Sequence, residues 1–491
     1  EPYLDYRLFK QSQEANSMYF ANTFSFYRNL AFFGMATYSY KGRYTINGTI
    51  RYEGTNKLGK SRNARWLPTW NVSGAWNAHE ENWWYPTFGK AWSYASLKAS
   101  YSLTADRGPA GVTNSLAVFT SFTPFRPSTT ASETGITLYD LENSELTYEK
   151  KHELNIGAAF GFVDNRINVE FDWYRRNNFD LIGYVQTMGV GGQTTKLAND
   201  ASMQSTGCEF TISTTNIRTN DFKWTTDWIF SWAENMITKL DSRSQVYQLV
   251  NGYGRMEGRP VGALYSIPFA GLTEEGLPTF YIDAERTQIV GPGNYADIYF
   301  QEYENVDYLK YEGSIDPTIT GSFGNTFTWK GLKLNVFFTY SFGNVLRLDD
   351  LCPVYGSDYS DLTASMKEMK NRWMVPGDEN VTTIPAIPTV RQMREIDALD
   401  NAYSAYNYSS ERIAKGDFIR LKELSLSYDL PKKYFEGQKA VSSFGVKLSA
   451  TNLWLAYADK KLNGRDPEYY NTGGVSSPTP RQFTLTVKLG F

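Results

Sequence analysis

The chain has 491 residues, with 35 Tyr, 30 Phe and 13 Trp set against 21% charged residues and a formal net charge of −3. That balance leaves no basic footprint for nucleic acid. The two cysteines, Cys208 and Cys352, suggest no disulfide framework, and two histidines leave little for a His-rich metal centre. No stretch approaches the ~20 apolar residues of a membrane helix.

In chain order, the opening "EPYLDYRLFKQSQEANS" lacks the basic and apolar regions of a signal peptide. It reads as part of something longer, with 1–27 a remnant of an extracellular loop and 28–491 a barrel. Leu30, Phe32, Ala36, Tyr38 and Tyr40 share one face of a strand; "YKGRY" turns the chain, and Tyr44, Ile46, Ile50 and Tyr52 answer on the next. "LNIGAAFGF" presents Leu154, Ile156, Ala158, Phe160 and Phe162, then "VDNR" turns into Ile167, Val169, Phe171 and Trp173. Trp224, Trp228, Phe230 and Trp232 follow, and "LKLNVFFTYSF" sets Leu332 to Phe342 on alternate positions. Residues 418–428 change parity, which predicts a bulge near Lys422–Glu423. Phe444, Val446, Leu448, Ala450 and Trp454 form a late strand, and "RQFTLTVKLGF" ends the sequence on another.

Tight connections sit near 41–43, 163–166, 217–221 and 329–331. Long ones span 104–148, 183–200, 237–316, 346–415 and 457–480, where clean alternation is absent. Short turns on one side and long loops on the other are the plan of an outer-membrane barrel. The expected fold is all-β, a transmembrane antiparallel β-barrel with about thirteen strands of membrane-crossing length here. Strands with an oily face cannot sit in lipid with open edges. An odd count ending on the short-turn side puts residue 1 on the long-loop side, and an upstream segment would complete a barrel of about 22 strands. A soluble sandwich, propeller or solenoid is the alternative, but would not show this regular loop plan.

Side-chain chemistry offers no catalytic set: there is no G-x-S-x-G, HExxH or P-loop, and His79 and His152 lie far apart. An enzyme is not expected. Asp349 and Asp350 in "RLDD", and "SDYSD" at 357–361, either offer oxygen ligands to Ca²⁺ or are solvated loop carboxylates. Cys208 shares a face with Phe210 and Ile212 and reads as a lipid-facing apolar residue. Arg51, Lys98, Asn168, Glu170, Asp172, Lys333 and Asn335 fall on the opposite parity and should face the lumen. There they would hold a plug, line a channel or be solvated. Trp228, Phe230, Val336, Phe338 and Leu448 should face lipid. "ENWWYPTF", "VYGSDYSD" and "DNAYSAYNYSS" mix rings with hydrogen-bonding groups suited to sugars or peptides. Trp83, Trp84, Tyr355, Tyr403 and Tyr406 are therefore candidates for ligand or lid contact, or else rings that pack the loops together.

Several stretches resemble the SusC/RagA-like TonB-dependent transporters. They are "YSYKGRYTINGTIRYEGTNKLG", "RWLPTWNVSGAWNAHEENWW", "MQSTGCEFTIS", "GRPVGALYSIPFAGLTEEGLPTFY", "FIRLKELSLSYDLP", "NGRDPEYY" and the final "PRQFTLTVKLGF". Their order and spacing, from about 28 to 491, carry the resemblance more than any one of them. It implies TonB-dependent import of oligosaccharides or oligopeptides across a Bacteroidota-type outer membrane. The implied partners are a SusD-like surface lipoprotein lid, an upstream plug and barrel segment, the TonB complex acting through that plug, and membrane lipid with lipopolysaccharide. It also makes the terminal aromatic, Phe491, a barrel-assembly signal. The family's plug, carboxypeptidase-like extension and TonB box are not in this sequence, and "TNLWLAY" departs from the Thr-rich continuation usual there. A non-transporting barrel, such as an adhesin or secretion pore, is the other reading.

Overall fold

The computed structural model describes residues 27–58, 62–89, 91–108, 117–122, 135–189, 194–351, 367–431, 434, 442–470 and 478–490. Thirteen strands form one antiparallel sheet in which each pairs with its neighbours in sequence. They are β1 (Asn29–Tyr40), β2 (Tyr44–Thr55), β3 (Trp66–Asn77), β4 (Trp92–Asp106), β5 (Glu149–Phe162), β6 (Ile167–Gln186) and β7 (Thr195–Arg218). Then come β8 (Phe222–Leu240), β9 (Ile319–Trp329), β10 (Leu332–Phe342), β11 (Phe418–Asp429), β12 (Ser443–Ala458) and β13 (Gln482–Gly490).

Register joins the apolar positions into one continuous face. Ile46 faces Tyr38 and Gly74, Ile156 faces Ala99 and Trp173, and Phe210 faces Phe171 and Phe230. Further along, Phe323 faces Trp228 and Phe338, while Leu448 faces Leu426 and Leu485. Many of these side chains stay exposed, among them Ile46, Leu448 and Leu485. A sheet whose oily face is this broad and this exposed is built for a hydrocarbon solvent. The parity change in β11 is a bulge: Phe337 pairs with Glu423 and Phe338 with Leu421, leaving Lys422 over.

At one end the connections are short. Lys330 and Gly331, both at positive φ (44° and 90°), alone join Trp329 to Leu332. This is the two-residue turn whose twist matches that of paired strands. A Cβ on Gly331 would stand 2.8 Å from the Asp429 carbonyl oxygen, so a side chain there meets backbone as well as strain.

At the other end the structure departs from the expected loops. Residues 183–200 are mostly strand: Gly183 pairs with Ala198 and Gln186 with Thr195. β6, β7 and β8 run to 20, 24 and 19 residues, roughly twice the 9–11 that span a tilted crossing. Their outer halves form a ladder projecting past the apolar band. That region has no lipid to face, so its side chains carry no period-2 signature.

Among the described residues, the largest buried apolar cluster lies outside the sheet. It joins the β8–β9 and β10–β11 connections through Val246, Leu249, Ile267, Phe280, Tyr295, Ile298, Leu399, Tyr403 and Tyr406, among others. This loop unit sits on the projecting ladder. The Ile237 and Arg259 backbones pair at 2.9 Å, and Val261 N–H donates to Asn235 Oδ1 at 2.7 Å.

Candidate functional site

The polar face of the sheet collects all seven residues of opposite parity. Arg51 faces Thr69, Lys98 faces Ala75, and Asn168, Glu170 and Asp172 face Ser213, Thr211 and Glu209. Lys333 and Asn335 face Ser427 and Ser425. Over β1–β7 some charges on this face are tied in pairs, Arg51 with Glu53 at 2.5 Å and Glu153 with both Lys151 at 3.0 Å and Arg176 at 3.2 Å, while Lys98, Glu170, Asp172 and Glu209 make no ion pair among the described residues. Cys208 is a free thiol on the apolar face, in register between Trp173 and Trp232.

The aromatic loop candidates separate. Trp83 and Trp84 belong to the 78–91 connection, which stands at the short-turn end. Arg43 of the β1–β2 turn bonds Glu81 and Asn82, and Val163 of the β5–β6 turn bonds Ala91. Trp84 is buried against Trp92, whose carbonyl accepts its indole N–H at 2.9 Å. These two rings therefore cannot meet a ligand or lid over the long loops; ring content alone did not say at which end of the sheet they stand. Tyr403 and Tyr406 do lie in the long loops but are 3% and 1% exposed, interior to the loop unit. The Tyr403 hydroxyl donates to the Ala386 carbonyl at 2.5 Å. For this pair the packing alternative holds and the ligand or lid role is corrected. Tyr355, Cys352, the 357–361 carboxylates and Phe491 fall outside the described residues.

Arg347 ties together separate segments of the loop unit. Its guanidinium donates to the carbonyls of Val250 (3.1 Å), Asn407 (3.3 Å) and Tyr265 (2.5 Å). Asp349 is paired with Arg465, and Asp350 is exposed. Among the described residues no group of three or more His, Cys, Asp or Glu is arranged to hold a metal ion.

Beneath the β12–β13 connection, a cavity of about 810 Å³ opens at the long-loop end. Arg420, Asn452, Arg465, Asp466, Tyr469, Tyr470 and Arg481 line it. Arg420, 5% exposed, pairs with Asp466 and reaches Glu468 at 3.3 Å, leaving its Nε without a partner. Arg465 hydrogen-bonds the Tyr470 hydroxyl at 3.2 Å and lies over its ring. Guanidinium, carboxylate and phenol groups side by side present both donors and acceptors next to flat apolar faces. That chemistry fits sugar hydroxyls or peptide amides. "NGRDPEYY" was visible in the sequence as a motif, but its pairing with Arg420, 46 residues away, was not.

No family model matches the chain. TonB-dependent receptor P3 of Formosa agariphila is 26% identical over 488 residues, covering 94% of this chain and 45% of that protein. Receptor P26 of the same organism is also 26% identical, over 95% of this chain and 46% of its own length. TonB-dependent receptor SusC of Bacteroides thetaiotaomicron is 27% identical over 226 residues, 43% of this chain and 21% of that protein. The chain thus spans about half the length of the first two, or less than half. These names describe receptors, not enzymes. Among solved structures, the RagAB peptide importer in its closed-closed state superposes with a TM-score of 0.72 at 24% identity, over 95% of this chain and 48% of that one. Its fold is therefore that of this sheet. The chain is thus similar over 94% of its length to part of a TonB-dependent receptor, and its sheet is that of a β-barrel of the bacterial outer membrane.

Proposed function

We propose that the protein of which this chain is a portion imports oligosaccharides or oligopeptides across the outer membrane, driven by TonB through a plug in the lumen. The observation that carries the reading is the division of one sheet into a continuous lipid face and a polar face, capped at one end by a folded loop unit. A plain pore needs no such superstructure. The polar face lines the lumen, and the 810 Å³ cavity lies where cargo would first leave the loops for the barrel.

A SusD-like lipoprotein serves as lid in this reading. The loop unit buries its central rings itself, so the lid docks on what remains outside, and Met374, Val375, Val381 and Val390, each more than half exposed, are the apolar residues that one connection gathers there, with Tyr253 and Tyr299 exposed on the other. Exchanging Met374, Val381 and Val390 together for Asp is expected to abolish co-purification of the lipoprotein while leaving the barrel in the membrane. Wild-type co-purification would place the lid elsewhere. Mass spectrometry of material released from the intact complex tests the cargo. A defined set of oligomers, lost when TonB is deleted, supports import; empty complexes with unchanged growth on every oligomer would favour the adhesin or secretion reading.

A further inference from the structure

Near the short-turn end of the polar face, register aligns a row of cations across strands. Arg218 on β7 faces Lys223 on β8, which faces Thr328; Thr328 faces Lys333 on β10, which faces Ser427, and Ser427 faces Lys447 on β12. Lys488, on β13, joins Lys333 and Lys447 around a cavity of about 390 Å³. The next row toward the long loops carries no charge: Thr225, Thr326, Asn335, Ser425 and Ser449 lie in register.

The balancing charge is small. Lys447 reaches Glu423 at 3.2 Å, and Asp429 faces the cavity. Among the described residues, Lys223, Lys333 and Lys488 have no carboxylate within ion-pair distance. On β1–β7 the same face mixes its signs: Arg51 pairs with Glu53 and Glu153 with Lys151 and Arg176, while Glu170, Asp172 and Glu209 stand together on β6 and β7. Strands lie 4.7–4.9 Å apart, so cations on alternate strands stand about 10 Å from one another. That is close to the screening length at physiological salt, and walls of low dielectric weaken screening further. A wall that only had to stay wet would gain nothing from a one-sign row.

We infer that this row is a seat for an acidic segment of the plug, latching it against β8–β13 at the end of the barrel away from the loop unit. The inference rests on the plugged-barrel reading above. The row crosses five strand intervals from β7 to β12, about 24 Å, too long for one carboxylate or phosphate and suited to an extended surface bearing several. Its distance from the long loops sets it apart from the cavity where cargo enters.

The test uses the full-length protein in planar bilayers. Wild type is expected to stay closed at low salt and to open more often as salt rises, because screening weakens the latch. Lys223→Gln, Lys333→Gln and Lys447→Gln combined place neutral polar groups on a wall already rich in hydroxyls, so the barrel assembles; heat-modifiable migration checks this. The combined variant is expected to open at least ten-fold more often at low salt and to admit a bulky antibiotic to cells. The corresponding Lys→Glu set should open further. A folded Gln variant that stays as closed as wild type overturns the inference. So does one that stays closed but loses uptake of anionic cargo only, since the row would then serve a passing anion. A wild type that conducts freely overturns the plugged-barrel reading itself.

Discussion

Val336 stands on the apolar face between Asn325 and Leu424. An ammonium placed there would face hydrocarbon with no carboxylate beside it, since its polar neighbour Asn325 already accepts from Trp224 and Thr226. Val336→Lys is therefore expected to cost roughly 2–4 kcal/mol in folding into lipid, and unchanged stability would mean that the register is off by one, which inverts the faces. Arg420 poses the opposite case, a charge already buried with its counter-ions. Arg420→Met leaves Asp466 and Glu468 unpaired beside the cavity and should destabilise the β12–β13 connection by about 3 kcal/mol, seen as faster proteolysis there than in wild type. Tyr308 titrates with the loop unit. Burial pushes its phenol up to about 12, from an ordinary value of about 10. The fold thus favours the neutral form, so its stabilisation is complete below pH 10 and is lost as pH climbs from 10 to 12. Relative to Tyr308→Phe, wild type should lose about 2 kcal/mol of loop-unit stability across that window, measured by denaturant titration at each pH. Parallel curves for the two proteins would exclude a perturbed Tyr308.

Among elements, the loop unit has a core of its own. Phe280, fully buried in it, contacts Phe269 edge-on at 6.1 Å. Phe280→Ala is expected to cost about 3–5 kcal/mol, opening the loops to protease while the barrel keeps its heat-modifiable migration. Loss of both together would mean that the two fold as one cooperative body. The strands were legible because lipid forces every second residue to be apolar, and the Lys422 bulge because one extra residue breaks that beat. The 183–200 hairpin was not legible, since beyond the bilayer neither face is marked. Trp83 and Trp84 were misplaced because a ring-rich connection looks alike at either end. Tyr403 and Tyr406 show that a polar, aromatic run can be a core when two distant loops supply it jointly. No local pattern pairs 246–309 with 399–406.

For the whole molecule, the sheet as described leaves β1 and β13 each with one free edge. In lipid such edges must be satisfied. Full-length protein is expected to show about nine further strands bridging β1 to β13 in a closed barrel of about 22. A structure in which β1 pairs directly with β13 would refute this.

The long strands β6, β7 and β8 have a mechanical meaning. Each runs from the membrane wall into the projecting ladder without a break in the chain, and the loop unit is bolted to the end of that ladder by hydrogen bonds at Asn235 and Ile237. The beam is kinked, since β6 shifts register between Asn178 and Ile182 with Asp180 at a φ of 57° and the β7–β8 pair shifts between Ile237 and Lys239, yet the strands stay paired on either side of each bulge. A load applied to the loops from outside the cell would therefore pass as torque into the barrel staves, not be absorbed by a flexible neck. Whatever opens and shuts above this barrel must pivot on its own joint, with these three strands as the fixed post.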